Sequence, residues 1–333
     1  MKHGTALEST VIDLSIIIVN WNVRELLRRC LTSIVEASIA GTEPGTRNLE
    51  LETIVVDNAS SDGSLEMLQA EFPWVRLIAN ERNVGFTRAN NQGLALSRGR
   101  YVLFLNPDTE IVGDALPTMV RTMEARPTVG ALGPQLRYPD GTVQSSRRRF
   151  PTLTTAFFES TLLAQWWPEN PWARRYRLAE RPDDLEQEVD WLVGACLLVR
   201  REALEQVGGF DEGFFMYSEE MDLCRRLRAA GWRVVYLPSA QVIHHEGRSS
   251  EQVVPERHLH FQTSKVRYFR KHHGRLQAEL LRLFLLLTYV YQMVEEGLKW
   301  LLGHKRPLRA ARVRVYWQVL RSRLRDESLP GHG

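Results

Sequence analysis

Asn106-Pro107-Asp108 follows the apolar run Tyr101–Leu105 directly, and Ser218-Glu219-Glu220-Met221-Asp222 comes roughly a hundred residues later. A buried strand that ends in a carboxylate presents it at the carboxyl edge of a sheet, where open α/β proteins bind ligands. Asp108 there suits a hard divalent cation, Mg2+ or Mn2+, that bridges to a diphosphate and stabilises it as a leaving group. Three acids within four residues repel one another, which raises the pKa of at least one, as a general base requires. Glu220 is the first choice for the base, with Glu219 and Asp222 next; Glu219 also suits an acceptor hydroxyl. His244-His245 follow the apolar pair Val242-Ile243. Neighbours in an extended chain face opposite ways, so at most one of them, taken as His244, completes the cation's coordination. Asp57 closes the run Ile54–Asp57 and can accept hydrogen bonds from a base or ribose. Together these groups suit transfer from a phosphorylated donor. Each also has a plain structural use: a turn at Asn106–Asp108 and at Asp57, favourable dipole charge at Glu219–Asp222, a packed or exposed histidine pair.

Something must position these groups. Leu14–Val19, Leu51–Asp57, Val75–Ala79 and Tyr101–Leu105 read as short buried strands, and Val23–Ala37, Ser64–Glu71 and Thr87–Ser97 between them have helical spacing. That alternation predicts parallel strands joined by right-handed helical crossovers. A helix is expected over Asp114–Arg126, then a hairpin at Tyr138-Pro139-Asp140-Gly141. The Trp- and Arg-rich stretch at about residues 145–182 is expected to be flexible or ordered by a partner. Val189–Val199, Arg233–Leu237 and Gln241–His244 read as strands, and Arg201–Val207 and Glu219–Ala230 as helices. Neither GxGxxG nor GxxxxGK[ST] occurs, which speaks against a dinucleotide oxidoreductase and a P-loop NTPase.

The 333 residues are 44% hydrophobic and 25% charged, enough for one large core or two smaller ones and unlike a disordered chain. Cys30, Cys196 and Cys224 lack disulfide-framework or zinc spacing, which favours a reducing compartment. MKHGTALEST has no apolar run of signal-peptide length, so a cytoplasmic protein is expected. The net charge of +3 hides an asymmetry, because residues 265–333 carry 15 Lys/Arg against 5 Asp/Glu. Beyond Pro255 the chain reads as helical, and Leu276, Leu280, Leu283, Leu287, Val290, Val294, Leu298 and Leu301 form one apolar stripe. Its longest uncharged stretch, Leu283–Val294, is 12 residues, short of the ~20 that cross a bilayer. A basic amphipathic tail over residues 253–333 is therefore expected to lie on an anionic membrane surface, the alternative being packing on the body or a homodimer contact. No nucleic-acid recognition module is apparent.

The ordered motifs SIIIVNWN (Ser15–Asn22), IVVDNASSDG (Ile54–Gly63), NVGFTRANNQG (Asn83–Gly93), VLFLNPDT (Val102–Thr109), WLVGACLLVR (Trp191–Arg200), GGFDEGFFMYSEEMDLCRR (Gly208–Arg226) and VIHHEGRS (Val242–Ser249) resemble glycosyltransferase family 2. Their variants are most similar to its rhamnosyltransferase-like branch. The resemblance implies a GT-A fold, Rossmann-like and mostly parallel, over residues 1–252, followed by the helical extension. It implies that Asn20, Asp57, Asn83 and Asn90 cradle a nucleoside, and that Asp108, with Asn106 nearby and His244 opposite, holds metal and diphosphate. Trp191, Gly194 and Ala195 would line the acceptor side. Glu219-Glu220 matches the family's base motif, with Glu where Asp is commoner at the second position. The implied reaction is metal-dependent inverting transfer, with dTDP-rhamnose as donor and a lipid-linked or cell-envelope saccharide as acceptor, at the inner face of the membrane. UDP- or GDP-sugar donors, or a silent nucleotide-sugar-binding scaffold of a membrane assembly, are the alternatives.

Overall fold

The computed structural model describes residues 12–40, 49–159, 161–245, 254–303 and 305–325. In chain order the first half comprises β1 (Leu14–Asn20), α1 (Arg24–Ala40), β2 (Leu51–Asp57), α2 (Ser64–Glu71), β3 (Arg76–Ala79), α3 (Phe86–Leu96), β4 (Tyr101–Leu105), β5 (Thr109–Val112), α4 (Ala115–Ala125), β6 (Val129–Arg137), β7 (Val143–Gln144) and β8 (Arg147–Arg148). Then come α5 (Leu153–Phe158), α6 (Leu162–Trp166), α7 (Pro171–Tyr176), β9 (Gln187–Glu188), β10 (Trp191–Leu192), β11 (Cys196–Arg200), α8 (Arg201–Val207), α9 (Glu219–Ala229) and β12 (Arg233–His244). Three helices follow: α10 (Val254–His273), α11 (Arg275–Leu301) and α12 (Arg306–Ser322).

Among the described residues the main sheet runs β3-β2-β1-β4-β11-β6-β12-β5, with β7 on β6 and β9 on β12. The first four strands are parallel, as the alternating pattern predicts, and β11 enters antiparallel between β4 and β6. β1 and β4 read as unbroken apolar runs because both faces are covered. Ile16, Ile18, Leu103 and Leu105 face a core built with α1, α2 and α4, whereas Ile17, Val102 and Phe104 face a second core built with α8 to α11.

Several expectations need correction. The Trp- and Arg-rich stretch is ordered: α5, α6 and α7 fold there, Asn170 caps α7 through a bond to the Ala173 amide, and buried Arg147 bonds to the Pro182 carbonyl at 2.9 Å. Aromatic stacking replaces periodic apolar spacing, as in Phe158 on Trp172 at 4.5 Å. The strand expected over Val189–Val199 breaks at residues 193–195, where Val193 turns to bond Ser146. The two strands expected over Arg233–Leu237 and Gln241–His244 are one, with a register shift between Leu237 and Gln241 that absorbs Pro238. β6 was not foreseen, because Gly130, Gly133 and Pro134 interrupt its apolar pattern.

The tail divides into two parts. In α10, Tyr268 and Phe269 are fully buried in the core shared with β11 and α9, so packing does not break at the boundary expected at 252/253. α11 packs inward through Ala278, Leu281, Leu285 and Tyr289. The eight stripe residues lie on its other side and are 43–76% exposed. No helix among the described residues is long and apolar enough to cross a membrane.

Candidate active site

The parallel register aligns the strand ends. Asn20 stands opposite Asp57, and Ile18 opposite Leu105, so the segments after β1, β2 and β4 meet along one edge. The Asn20 Nδ2 donates to Asp57 Oδ2 at 2.8 Å and to Ser60 Oγ at 3.0 Å, while Asp57 Oδ1 accepts from the Ser60 amide at 2.8 Å. Both side chains are buried, and Asn20 Oδ1 has no partner. A buried acceptor without a donor costs about 1–3 kcal/mol, so a ligand N–H at this spot would be well received. Ser60 was not foreseen. It sits in a run of small polar residues that reads as a loop.

Asn83 and Asn90 are placed differently. Asn83 Oδ1 accepts from the Gly85 amide at 3.0 Å, and Asn90 Nδ2 donates back to the Phe86 carbonyl at 2.9 Å, so both bonds shape the entry to α3. Asn91, which sequence reasoning passed over, clamps Phe210 through both its amide and its carbonyl, at 3.0 and 2.9 Å. Gly85 has φ +91°, and a Cβ there would lie 2.7 Å from the Phe215 ring. The Asn83–Gly93 motif and the Gly208–Tyr217 segment are thus one packed unit.

Asp108 and His244 come together because β12 pairs antiparallel with β5, placing His244 opposite Thr109. His244 Nε2 lies 3.4 Å from Asp108 Oδ1, and both side chains are about 5% exposed. His244 Nδ1 lies 2.8 Å from Gln144 Oε1, which fixes the ring and makes Nδ1 the donor nitrogen. Gln144 is brought there by the hairpin expected at residues 138–141, where β6 pairs with β7. With Nδ1–H donated, it is Nε2 that can offer its lone pair to a cation beside the carboxylate. Two acceptors at that distance fit a cation between them. Among the described residues no group of three His, Cys, Asp or Glu side chains forms a complete metal cage. Such a pair suits Mg2+ or Mn2+, which take few protein ligands and complete their shell with water and diphosphate. Asn106 holds the strand end itself, its amide bonding the Ala195 carbonyl at 2.9 Å and its carbonyl accepting from Thr109 Oγ1 at 2.7 Å. His245 turns the other way, onto Glu110 at 2.6 Å. Glu246 to Ser249, the rest of that motif, lie outside the described residues.

The three acids of α9 have three different surroundings. Asp222 is fully buried, 2.8 Å from Arg226 Nε and 2.7 Å from both Lys271 Nζ and His272 Nε2. Despite its burial, those cations hold its carboxyl far below the usual carboxylate range. Asp222 is a structural anion locking α9 to α10, which corrects the expectation that it could serve as base. Glu219 is buried, and burial and the neighbouring Glu220 charge push its carboxyl well up. Glu220 is half-buried and lies against Gly194, where a Cβ would be 3.2 Å from its Cβ. Burial raises its pKa too, against the amides of Glu220, Met221 and Gly194 and the charge of Arg148. Glu219 Oε2 and Glu220 Oε2 both lack a partner. Tyr217 and Ser218, just before the helix, both have left-handed φ near +65° to +70°. Such strain in non-glycine residues marks a segment whose orientation the surroundings impose.

Gly194 and Ala195 lie in the break between β10 and β11, beside Glu220 on one side and Asn106 on the other. Trp191 is buried, its Nε1 donating to the Arg149 carbonyl at 2.9 Å and its ring 6.2 Å from that of Tyr176. Tyr176 and Arg148, which the insertion supplies, were missed because nothing in an irregular Arg-rich stretch says which residue turns inward.

The chain is similar to known proteins in sequence and in fold. The sequence profile described as glycosyl transferase family 2 matches residues 15–208, a span that ends before Glu219 and His244. Over 280 residues, 80% of this chain and 87% of the relative, the sequence is 36% identical to an N-acetylglucosaminyl-diphospho-decaprenol L-rhamnosyltransferase of Mycobacterium tuberculosis. It is 32% identical over 176 residues to the rhamnosyltransferase WbbL of Escherichia coli K12, covering 50% of this chain and 63% of that one. Among solved structures, a mannosyltransferase from Pyrobaculum calidifontis, in complex with GDP-Man and Mn2+, superposes with a TM-score of 0.53 at 18% identity, over 93% of this chain and 84% of that one. The fold is thus of the GT-A kind.

Proposed function

The chain belongs to glycosyltransferase family 2, and on that premise we propose that it moves L-rhamnose from dTDP-rhamnose to the sugar of a lipid-linked acceptor of the N-acetylglucosaminyl-diphospho-polyprenol class. The observation that carries this reading is the convergence on one strand edge of the Asp108–His244 pair and the half-buried Glu220, which lies against Gly194. The donor and acceptor named are those in the 36% identical relative's name and in the rhamnosyl resemblance of the motifs.

In this reading Asn20 and Asp57 bind the base, Asn20 Oδ1 accepting the ring N–H of thymine. Asp108 and His244 would hold a divalent cation, which neutralises charge on the departing nucleoside diphosphate. Glu220 takes the proton of the acceptor hydroxyl as its oxygen bonds to the anomeric carbon; the bond from that carbon to the diphosphate oxygen breaks on the opposite face, with inversion. A single base suffices. Glu220 fits better than Glu219 because it is less buried and lies against the Gly194 strand break, on the side the family resemblance gives to the acceptor. Its raised pKa makes it a stronger proton acceptor than an exposed carboxylate.

The tail agrees with a lipid-borne acceptor. Its net +10 and the exposed stripe on α11 suit seating on an anionic membrane surface at the cytoplasmic face. Calorimetric titration with dTDP, UDP and GDP, with Mg2+ and then excess chelator, tests the donor site. Metal-dependent binding with preference for dTDP is expected, and binding that ignores chelator would overturn the role of Asp108 and His244.

A further inference from the structure

A partly open cavity of about 390 Å³ lies between α6 of the insertion and the tail helices α10, α11 and α12. That volume falls within the range of small-molecule sites. Its lining is mixed: Leu162, Leu285 and Tyr316 supply apolar surface, and Arg177, Gln262 and Thr288 supply polar groups. Gln262 is 5% exposed; its Nε2 donates to the Tyr289 hydroxyl at 3.3 Å, and its Oε1 has no partner. A buried amide oxygen left open in a space of this size can accept from a water that shares the cavity.

The cavity has two ends of different character. On one side, Gln165 and Gln292 of its lining are flanked by Trp166 and Tyr291, whose rings meet edge to face at 5.9 Å and are both exposed. Tyr291 continues the line of Leu287, Val294 and Leu298 on the exposed face of α11. On the other side Arg177 follows Tyr176, over whose ring the Arg148 guanidinium stands at 5.8 Å. Arg148 pairs by backbone with Trp191, three residues before the glycine that seats Glu220. The cavity therefore stands between an exposed aromatic edge and the acceptor side of the catalytic carboxylate.

We propose that this cavity receives the diphosphate and first isoprene units of the lipid-linked acceptor, so that the acceptor sugar projects past Arg177 and Tyr176 toward Glu220. The apolar lining suits the isoprene carbons, and the Arg177 guanidinium suits a phosphate oxygen. Arg177 lies 3.5 Å from Glu159, a distance that leaves its fork able to turn to a phosphate. The inference rests on the lipid-linked acceptor reading above.

The test uses the full chain and N-acetylglucosaminyl diphosphate carried on a short prenyl chain with a diazirine in its first isoprene unit. Irradiation followed by peptide mapping is expected to label residues 161–177 and 285–292; labelling confined to the exposed stripe or to other surfaces would overturn the proposal. Ala164→Trp and Thr288→Phe, both filling the cavity, are expected to raise the ratio of KM for the prenyl-linked acceptor to KM for the same sugar on a short soluble aglycone about tenfold. An unchanged ratio would also overturn it. Wild-type protein that binds dTDP with Mg2+ but transfers to neither acceptor would sink the proposed reaction instead, and the labelling reads the cavity independently of turnover.

Discussion

Replacing Gly194 by alanine tests the base assignment through its close approach to Glu220. The backbone at Gly194 is not in the left-handed region, so alanine is conformationally allowed. Its Cβ would lie 3.2 Å from Glu220 Cβ, 3.3 Å from Cγ and 3.7 Å from Cδ. Carbon atoms prefer separations of about 3.5–4.0 Å, so the Glu220 side chain must give way by a few tenths of an ångström. Misplacing a reacting group by about 1 Å can cost about 100-fold in rate, which puts this smaller shift at about 3- to 30-fold, or about 0.7–2 kcal/mol in the barrier. Release of nucleoside diphosphate at saturating donor and acceptor should fall by that factor. Calorimetric affinity for dTDP should not change, because Asn20 and Asp57 are held by β1, β2 and Ser60 rather than by Gly194. Gly297→Ala, a helical site with open space around it, is the control and should leave kcat as it is. Wild-type kcat in Gly194→Ala would refute Glu220 as the group that takes the proton. Loss of donor binding in parallel with kcat would refute the separation of the two sites.

The other acids give three further outcomes. Glu220→Gln should bind dTDP normally and lose transfer by about 100- to 10,000-fold; in the wild type the acidic limb of kcat should lie above the ordinary carboxylate range, since burial raises this group, and a limb near pH 4 would contradict that. Glu219→Gln should stabilise the fold by about 1–3 kcal/mol at pH 8, read from denaturant unfolding. The folded pKa of Glu219 is raised, so its carboxyl favours the fold only below the unfolded value near 4.5, and that contribution is lost as pH rises through the folded value; the gain from glutamine should accordingly vanish toward pH 4. Asp222→Asn should destabilise by about 3–5 kcal/mol at neutral pH, because Arg226, Lys271 and His272 lose their anion, and the loss should shrink as pH falls below the usual Asp range.

What could be read from the chain follows how local each signal is. β1, β2, β4 and the crossover helices were legible because a strand covered on both faces is a continuous apolar run with nothing to confuse it. Asp57 and Asp108 were legible for the same reason: each is the first charged residue after such a run. Ser60, Asn91 and Gln144 were not, because each acts across 38 to 119 residues of sequence separation, on Asn22 and Asn20, on Phe210 and on His244. The count shows the limit: a single sequence gives residue types, whereas these roles depend on which distant strand or loop arrives opposite. The stripe on α11 was read correctly as a period, but the period alone did not tell which way it faces. Ala278, Leu281, Leu285 and Tyr289 form a second apolar line a fraction of a turn away, and that line meets the body.

The fates of Glu219, Glu220 and Asp222 follow from helix phase. Residues three apart share a face, so Glu219 and Asp222 both turn inward, while Glu220, one step of about 100° on, turns to Gly194. The phase is set before the helix begins, by the left-handed pair Tyr217 and Ser218, at a cost on the order of 1–3 kcal/mol each. Contacts from α10 offset that cost: Ser264 Oγ donates to the Met216 carbonyl at 2.7 Å, His260 stacks on Phe215 at 4.4 Å, and Lys271 holds Asp211 at 2.7 Å. From the other side Gly85 and Asn91 grip Phe215 and Phe210. The proposed base is thus aimed by the first helix of the tail and by the Asn83–Gly93 motif together. The basic extension therefore belongs to the proposed catalytic architecture as far as α10, and the exposed stripe of α11 remains for whatever surface brings the acceptor.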